Sequence, residues 1–332
     1  MNAEPQDIGF FLVPGFSLMA LSSASEPLRA ANRVMGYEAY RWSLISIDGQ
    51  PVQASSGFTI IADHSIHQVW KLSLGVVASR WDVADFRNQR VFNWLRSLAH
   101  NRCRLGAIST GTFLLARAGL LAGHRCTIHW ELLRDFAEEF PEIELTRDLF
   151  CIDRNRLTCA GGTAALDLML ALISEQNGEL AAADVAEQFL HTRIRPPGES
   201  QRMAVQWRYG ITDRRLARAI TLMEENTERP LSAQTLAQVA GISDRQLERL
   251  FLQHFGRGPS RFYLELRLRR AQTMLLQSTD SISQIAEKCG FASASHLGKC
   301  YREVFRDTPA HARRSRSQSD LPELDVAAKT TH

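Results

Sequence analysis

The chain has 332 residues, of which 45% are hydrophobic and 23% charged, with a formal net charge of +3. This is long enough for two ordinary domains with real cores, which excludes a disordered tail, a collagen-like rod and a disulfide-stapled miniprotein. The charge is uneven: residues 213–316 carry 18 Lys+Arg against 11 Asp+Glu, a net +7, whereas residues 1–212 and 317–332 each come to −2.

The first apolar run, Ile8 to Ala24, is long enough for a signal peptide. Glu4 and Asp7 stand where a basic flank would be, however, and Pro14-Gly15 interrupts the run. It therefore reads as a buried strand, Ile8–Val13, followed by a turn. No apolar stretch reaches the roughly 18 residues of a membrane span. The six cysteines (Cys103, Cys126, Cys151, Cys159, Cys289, Cys300) form no CxxC pair and show no zinc spacing with histidine. They are expected to be small buried hydrophobes in a reducing cytosol, and neither a metal nor a cofactor is expected.

Further strand-like runs are Trp42–Ile47, Leu74–Ala78 and Leu105–Ser109, and Ala20–Val34 and Arg87–His100 carry apolar residues at helical spacing. Near-continuous apolar strands alternating with helices predict an α/β domain. Its sheet should be doubly wound, mostly parallel and flavodoxin-like, covered on both faces. In such folds ligands sit outside the carboxyl ends of the strands. Two turns fit that place. Gly106-Ala107-Ile108-Ser109-Thr110-Gly111-Thr112 runs into a helix at Phe113–Leu121, with Ser109 at the apex in the manner of a nucleophile elbow. Cys159-Ala160-Gly161-Gly162-Thr163 runs into a helix at Ala164–Ser174. Each offers backbone N–H groups to an anion at a helix start. The plainer alternative is a glycine turn with a Ser/Thr N-cap.

The runs Gly106–Leu121, Cys126-Thr127-Ile128-His129-Trp130-Glu131 and Cys159–Asp167 resemble the class I glutamine amidotransferase-like (PfpI-like) domain. The resemblance is to the version fused to AraC-type regulators, and it covers about residues 7–192. It implies an elbow whose enzymatic relatives carry a cysteine activated by a histidine, the positions here of Ser109 and His129. Serine is nearly inert without a well-oriented base, and no acid partner for His129 can be assigned. Ala78-Ser79-Arg80-Trp81 also stands where relatives carry Gly-Gly. The elbow is therefore read as degenerate, with no catalytic residue, and the domain as a binding pocket. Its expected ligand-binding residues are Glu26, Trp81, Ser109, Thr110, His129, Trp130 and Gly162. Aromatic faces, a carboxylate and two helix N-termini suit a small zwitterion, such as an amino acid, betaine or carnitine. The resemblance points the same way, to sensors of nitrogen compounds.

Arg195-Pro196-Pro197-Gly198-Glu199-Ser200 is the clearest break, and 193–212 is expected to be an exposed linker. Beyond it every pattern is helical. Ala233–Ser243 followed by Asp244–Phe255 reads as one helix-turn-helix. Ser281–Lys288, Gly290 and a helix beginning near Ser293 read as a second, 48 residues on. A long connecting helix spans Arg261–Leu276. The stretch Ile282–Leu297, closing with Tyr301, Phe305 and Pro309, strongly resembles the AraC/XylS-type DNA-binding domain, over about residues 213–315, with a flexible tail at 316–332. Two recognition helices would enter successive major grooves about 34 Å apart. The expected DNA-binding residues are Ser243, Arg245, Gln246 and Arg249, then Ser293, Ser295, His296, Lys299 and Arg302. Arg267, Arg269 and Arg270 are expected to meet phosphates or acidic side chains.

The expected function is a cytoplasmic, sequence-specific transcription regulator and activator. Its expected partners are promoter DNA, a small nitrogenous effector, RNA polymerase and a second copy of itself. One alternative is an amidohydrolase, peptidase or deglycase using Ser109 and His129 behind a DNA-targeting module. Another is an N-terminal domain serving only as a dimerisation scaffold.

Overall fold

The apolar runs of the first two hundred residues become strands of one sheet. The computed structural model describes residues 4–69, 71–79, 83, 86–278 and 280–319, and the chain divides into two units, Met1–Arg202 and Met203–His332. The parallel strands of the first unit are β1 (Gln6–Leu12), β2 (Tyr40–Ser46), β5 (His64–Ser65), β6 (Leu74–Ala78), β7 (Arg104–Ile108) and β11 (Arg156–Cys159). The antiparallel β10 (Phe150–Asp153) closes one edge, giving the order β10-β11-β7-β6-β1-β2-β5. Short pairs lie outside the sheet: β3 (Val52–Gln53) with β4 (Thr59–Ile60), and β8 (Arg125–Thr127) with β9 (Glu144–Thr146).

Alternation along β1 sends Ile8, Phe10 and Leu12 to one face and Phe11 to the other. The first face packs under α1 (Leu18–Met35), α5 (Ala164–Asn177) and α6 (Glu179–Gln188). The second packs under α2 (Gln89–His100), α3 (Gly111–Arg117) and α4 (Leu133–Glu139). This is the doubly wound, mostly parallel architecture expected. All six cysteines are buried and free.

The second unit is helical: α7 (Val205–Tyr209), α8 (Arg214–Glu225), α9 (Ala233–Ala240), α10 (Asp244–Phe255), α11 (Pro259–Gln277), α12 (Ile282–Lys288), α13 (Ala294–Phe305) and α14 (Pro309–Ser319). It has two cores strung on α11. Phe262 and Tyr263 join the first, with Leu216, Ile220, Leu247 and Phe251. Leu268, Ala271 and Leu275 join the second, with Ile285, Leu297 and Tyr301. The two interlock at Gly290 (φ 69°), where a Cβ would come within 2.5 Å of the Glu228 carbonyl oxygen. Arg270, on the half of α11 that carries the second core, adds to this by donating to the Thr227 hydroxyl.

The segment expected as an exposed linker is mostly exposed between residues 192 and 204, and the chain divides within it, yet it is fastened at several points. Asp167, fully buried on α5, accepts from the Arg195 backbone N–H (2.8 Å) and its Nε (2.9 Å), and lies 2.9 Å from His191 Nε2. Leu149 donates to the Pro197 carbonyl, and Asp148 bridges to Ser200. Beyond residue 203, α7 is part of the second unit: Val205 and Ile211 are buried in its first core. The expected tail begins inside α14, which runs to Ser319; residues 320–332 lie outside the described residues.

Candidate functional site

β7 ends at Ile108 and α3 begins at Gly111, so Ser109 must turn the chain in two residues. It does so with φ 59°, a left-handed conformation costly for a residue with a Cβ. Gly111 permits the turn, because a Cβ there would stand 2.4 Å from the Val77 carbonyl oxygen. Gly161 (φ 95°) is equally constrained: its Cβ would meet the Ser109 Cβ at 2.8 Å. The two turns singled out in the sequence therefore lie against each other, joined by the Ser109 N–H donating to the Cys159 carbonyl at 3.0 Å. Neither Thr110 nor Thr163 makes a side-chain cap to its helix, so the simple N-cap account does not hold for either turn. The Thr163 hydroxyl instead accepts from Arg195 at 2.8 Å. Gly162 has φ 55° and open space where a Cβ would be.

Ser79 follows β6 one residue beyond the Ala78–Ile108 pair, at the same level as Ser109 on the neighbouring strand. It is 2% exposed, and its hydroxyl has no hydrogen-bond partner among the described residues. The hydroxyl of buried Thr112 donates to the Thr127 carbonyl at 3.0 Å, tying α3 to the end of β8 two residues before His129.

His129 Nδ1 accepts from the Glu131 backbone N–H at 3.4 Å, and Glu131 Oε2 is 3.9 Å away. Burial lowers the imidazole pKa to about 4, which keeps it neutral at neutral pH. Burial also raises the Glu131 carboxyl, against the pull of nearby Arg202. The Arg202 guanidinium lies over the Trp130 ring, 4.2 Å from its centroid. Gln201 beside it donates through Nε2 to Thr127 Oγ1 (3.1 Å) and to the carbonyls of Ile128 (3.0 Å) and Asp148 (2.8 Å), while its buried Oε1 has no partner among the described residues. Glu26 is half-exposed on α1 and pairs with Arg29 at 2.7 Å. Trp81 lies outside the described residues.

In the second unit Ser243 and Ser293 cap α10 and α13. Arg245 and Arg249 are exposed on α10, and Ser295, Lys299 and Arg302 on α13. Gln246 is already engaged, its Oε1 accepting from the Ser243 N–H at 3.1 Å in a capping box. His296 is engaged too: Nδ1 accepts from the Ala292 N–H at 3.4 Å, and the ring packs edge-on against Phe291. Two of the connecting-helix arginines are internal braces, contrary to expectation. Arg267 donates to the carbonyls of Cys289 (2.8 Å) and Gly290 and covers the Phe291 ring, and Arg270 donates to the Thr227 hydroxyl. Arg269 is exposed. The features sequence reasoning missed are Asp167, Gln201 and Arg202, whose partners lie 28, 53–74 and 72 residues away along the chain.

The DJ-1/PfpI family profile matches residues 7–175, about half of the chain, and a helix-turn-helix domain profile matches residues 236–315. The HTH-type transcriptional regulator CdhR of Pseudomonas aeruginosa is 44% identical over 308 residues, covering 93% of this chain and 91% of CdhR. The chain belongs to the AraC-type regulators that carry a DJ-1/PfpI domain. The HTH-type transcriptional regulator GbdR of P. aeruginosa is 41% identical over 312 residues, 94% of this chain and 85% of GbdR. The solved structure of an AraC family transcriptional regulator from Pseudomonas putida matches with a TM-score of 0.52 at 28% identity, covering 56% of this chain and all of that one. This regulator is therefore a DNA-binding transcription regulator. No described helix is long and apolar enough to cross a membrane.

Proposed function

We propose that this regulator is a cytoplasmic activator that senses a small zwitterionic nitrogen compound at the degenerate elbow, without catalysing a reaction there. The observation that carries the reading is Arg202 over Trp130: this indole face already holds a cation, beside the Glu131 carboxylate. A free cationic group gains about 0.5–2 kcal/mol from such a face, more as water is excluded. The effector's carboxylate would meet the Ser79 hydroxyl and the turns at Ser109-Thr110 and Gly162. His129, neutral, would join them, and Glu26 and Trp81 would complete the set expected from the sequence. Arg245, Arg249, Ser295, Lys299 and Arg302 would read base edges, with Ser243 and Ser293 near phosphates and Gln246 and His296 holding the helix starts. The regulator would act as a homodimer and contact RNA polymerase.

Binding to the native state raises its melting temperature by mass action. A panel of amino acids, betaine and carnitine should therefore contain a compound that stabilises the wild type. Arg202→Ala should bind that compound several-fold more tightly, because its own competing cation is gone. No stabilisation by any member would overturn the effector reading.

The left-handed Ser109 favours a second reading, since it keeps the backbone of a nucleophile elbow. Full effector-dependent reporter activation by Ser109→Ala would exclude it.

A further inference from the structure

A cavity of about 430 Å³ opens in the second unit, beside α8. It is lined by Gln206 of α7, Arg214, Arg215, Arg218 and Thr221 of α8, and Ala240 at the end of α9. Its shape is held from behind. Arg208 of α7 grips Glu224 of α8 with two bonds of 2.6 Å, and Tyr209 adds a third at 3.2 Å, so the short helix stands as a fixed wall.

The lining contains three guanidinium groups and no carboxylate. Arg215 is neutralised by Asp213, 2.7 Å away, whose carboxyl it helps to hold down to about 2. Arg214 and Arg218 are exposed and have no carboxylate partner among the described residues. They stand one turn apart on the same helix face, where like charges repel. A concave surface with two uncancelled guanidiniums, an amide and a hydroxyl is suited to an oxyanion, since arginine presents paired N–H groups at the spacing of phosphate oxygens. We propose that this cavity binds a phosphate group, carried either by the DNA backbone or by a soluble phosphate ester. Nothing in this depends on the effector or on the elbow.

The test uses the full chain and the double variant R214Q/R218Q. Neither arginine makes an ion pair among the described residues, so the variant should melt at the wild-type temperature. One arm measures affinity for a random-sequence DNA duplex against salt. If the cavity holds a backbone phosphate, the slope of log K on log salt should shrink by ~0.9, the value for one phosphate released from its counterions. The other arm titrates inorganic phosphate and pyrophosphate into both proteins in the absence of DNA. Loss of that binding in the variant, with an unchanged DNA slope, would assign the cavity to a soluble phosphate ester. Loss in both arms would assign it to both. Wild-type behaviour of the variant in both arms would overturn the proposal.

Discussion

Around the elbow of the first unit, Ser79, Ser109, Thr110 and Thr112 are buried, and their positions follow from backbone geometry and from glycines that admit no Cβ. On α10 and α13 of the second unit, Arg245, Arg249, Lys299 and Arg302 are exposed, and only the helices beneath them fix their places. The same kind of change should therefore be read differently in the two regions. Near the elbow a substitution is felt first as stability, because buried polar groups lose partners they cannot replace from water. On α10 and α13 it should leave stability unchanged, because the free protein solvates the missing group, and should appear instead in affinity for DNA.

The largest break in this contrast should come from Asp167→Ala. It leaves Arg195 and His191 without their shared acceptor and releases the segment that Asp167 holds. The cost should be about 3–5 kcal/mol, as for other broken buried ion pairs, measured by denaturant unfolding of the first unit. A loss below 1 kcal/mol would mean that the segment is held mainly by its backbone bonds to Leu149 and Asp148.

The next effect is a pH dependence. The folded imidazole of His129 titrates near 4, below the ordinary 6.5. The unfolded chain therefore binds more protons between those values, and stability should fall as the solution is acidified through that window. At roughly 1.4 kcal/mol per pH unit, discounted for a ring that is about a quarter exposed, the loss should be about 2 kcal/mol. Replacing His129 by Gln should flatten the first unit's melting profile between pH 6.5 and 4. An unchanged profile would assign the acid sensitivity elsewhere.

The smallest effect on stability, and the sharpest for the comparison, belongs to Arg249→Ala. The melting temperature should not move, while discrimination between a specific site and bulk DNA should fall by about 1–3 kcal/mol. Equal weakening on both DNAs would place Arg249 on phosphate alone.

How much of this was legible follows from the range of each contact. The apolar runs of β1, β2, β6 and β7 and the caps at Ser243 and Ser293 are local signals, and the structure shifts their elements by at most two residues. β8 to β11 were not read as strands: each is three or four residues long, too short for a clear period. The anchoring of the linker is hidden from the sequence for a different reason. Two prolines do break secondary structure, but they say nothing about a buried carboxylate 28 residues upstream that captures Arg195. Helical spacing turned Gln246 and His296 correctly outward without showing that backbone N–H groups nearby would claim their side chains first. Arg267 and Arg270 show the reverse: long polar stems can fold back onto carbonyl and hydroxyl oxygens and never reach a ligand.

The close approach at Gly290 also sets a ruler. α11 has 19 residues, which at 1.5 Å each is about 28 Å of stiff rod. With the turn of the second motif wedged onto the loop at Thr227–Pro230, the motifs at the two ends of that rod have little freedom to slide or swivel. One base pair inserted between two subsites on DNA rotates one against the other by about 35°. A protein built on a flexible tether could absorb that. Here the double helix would have to overtwist or bend, so spacing becomes part of the recognised sequence even at positions no side chain touches.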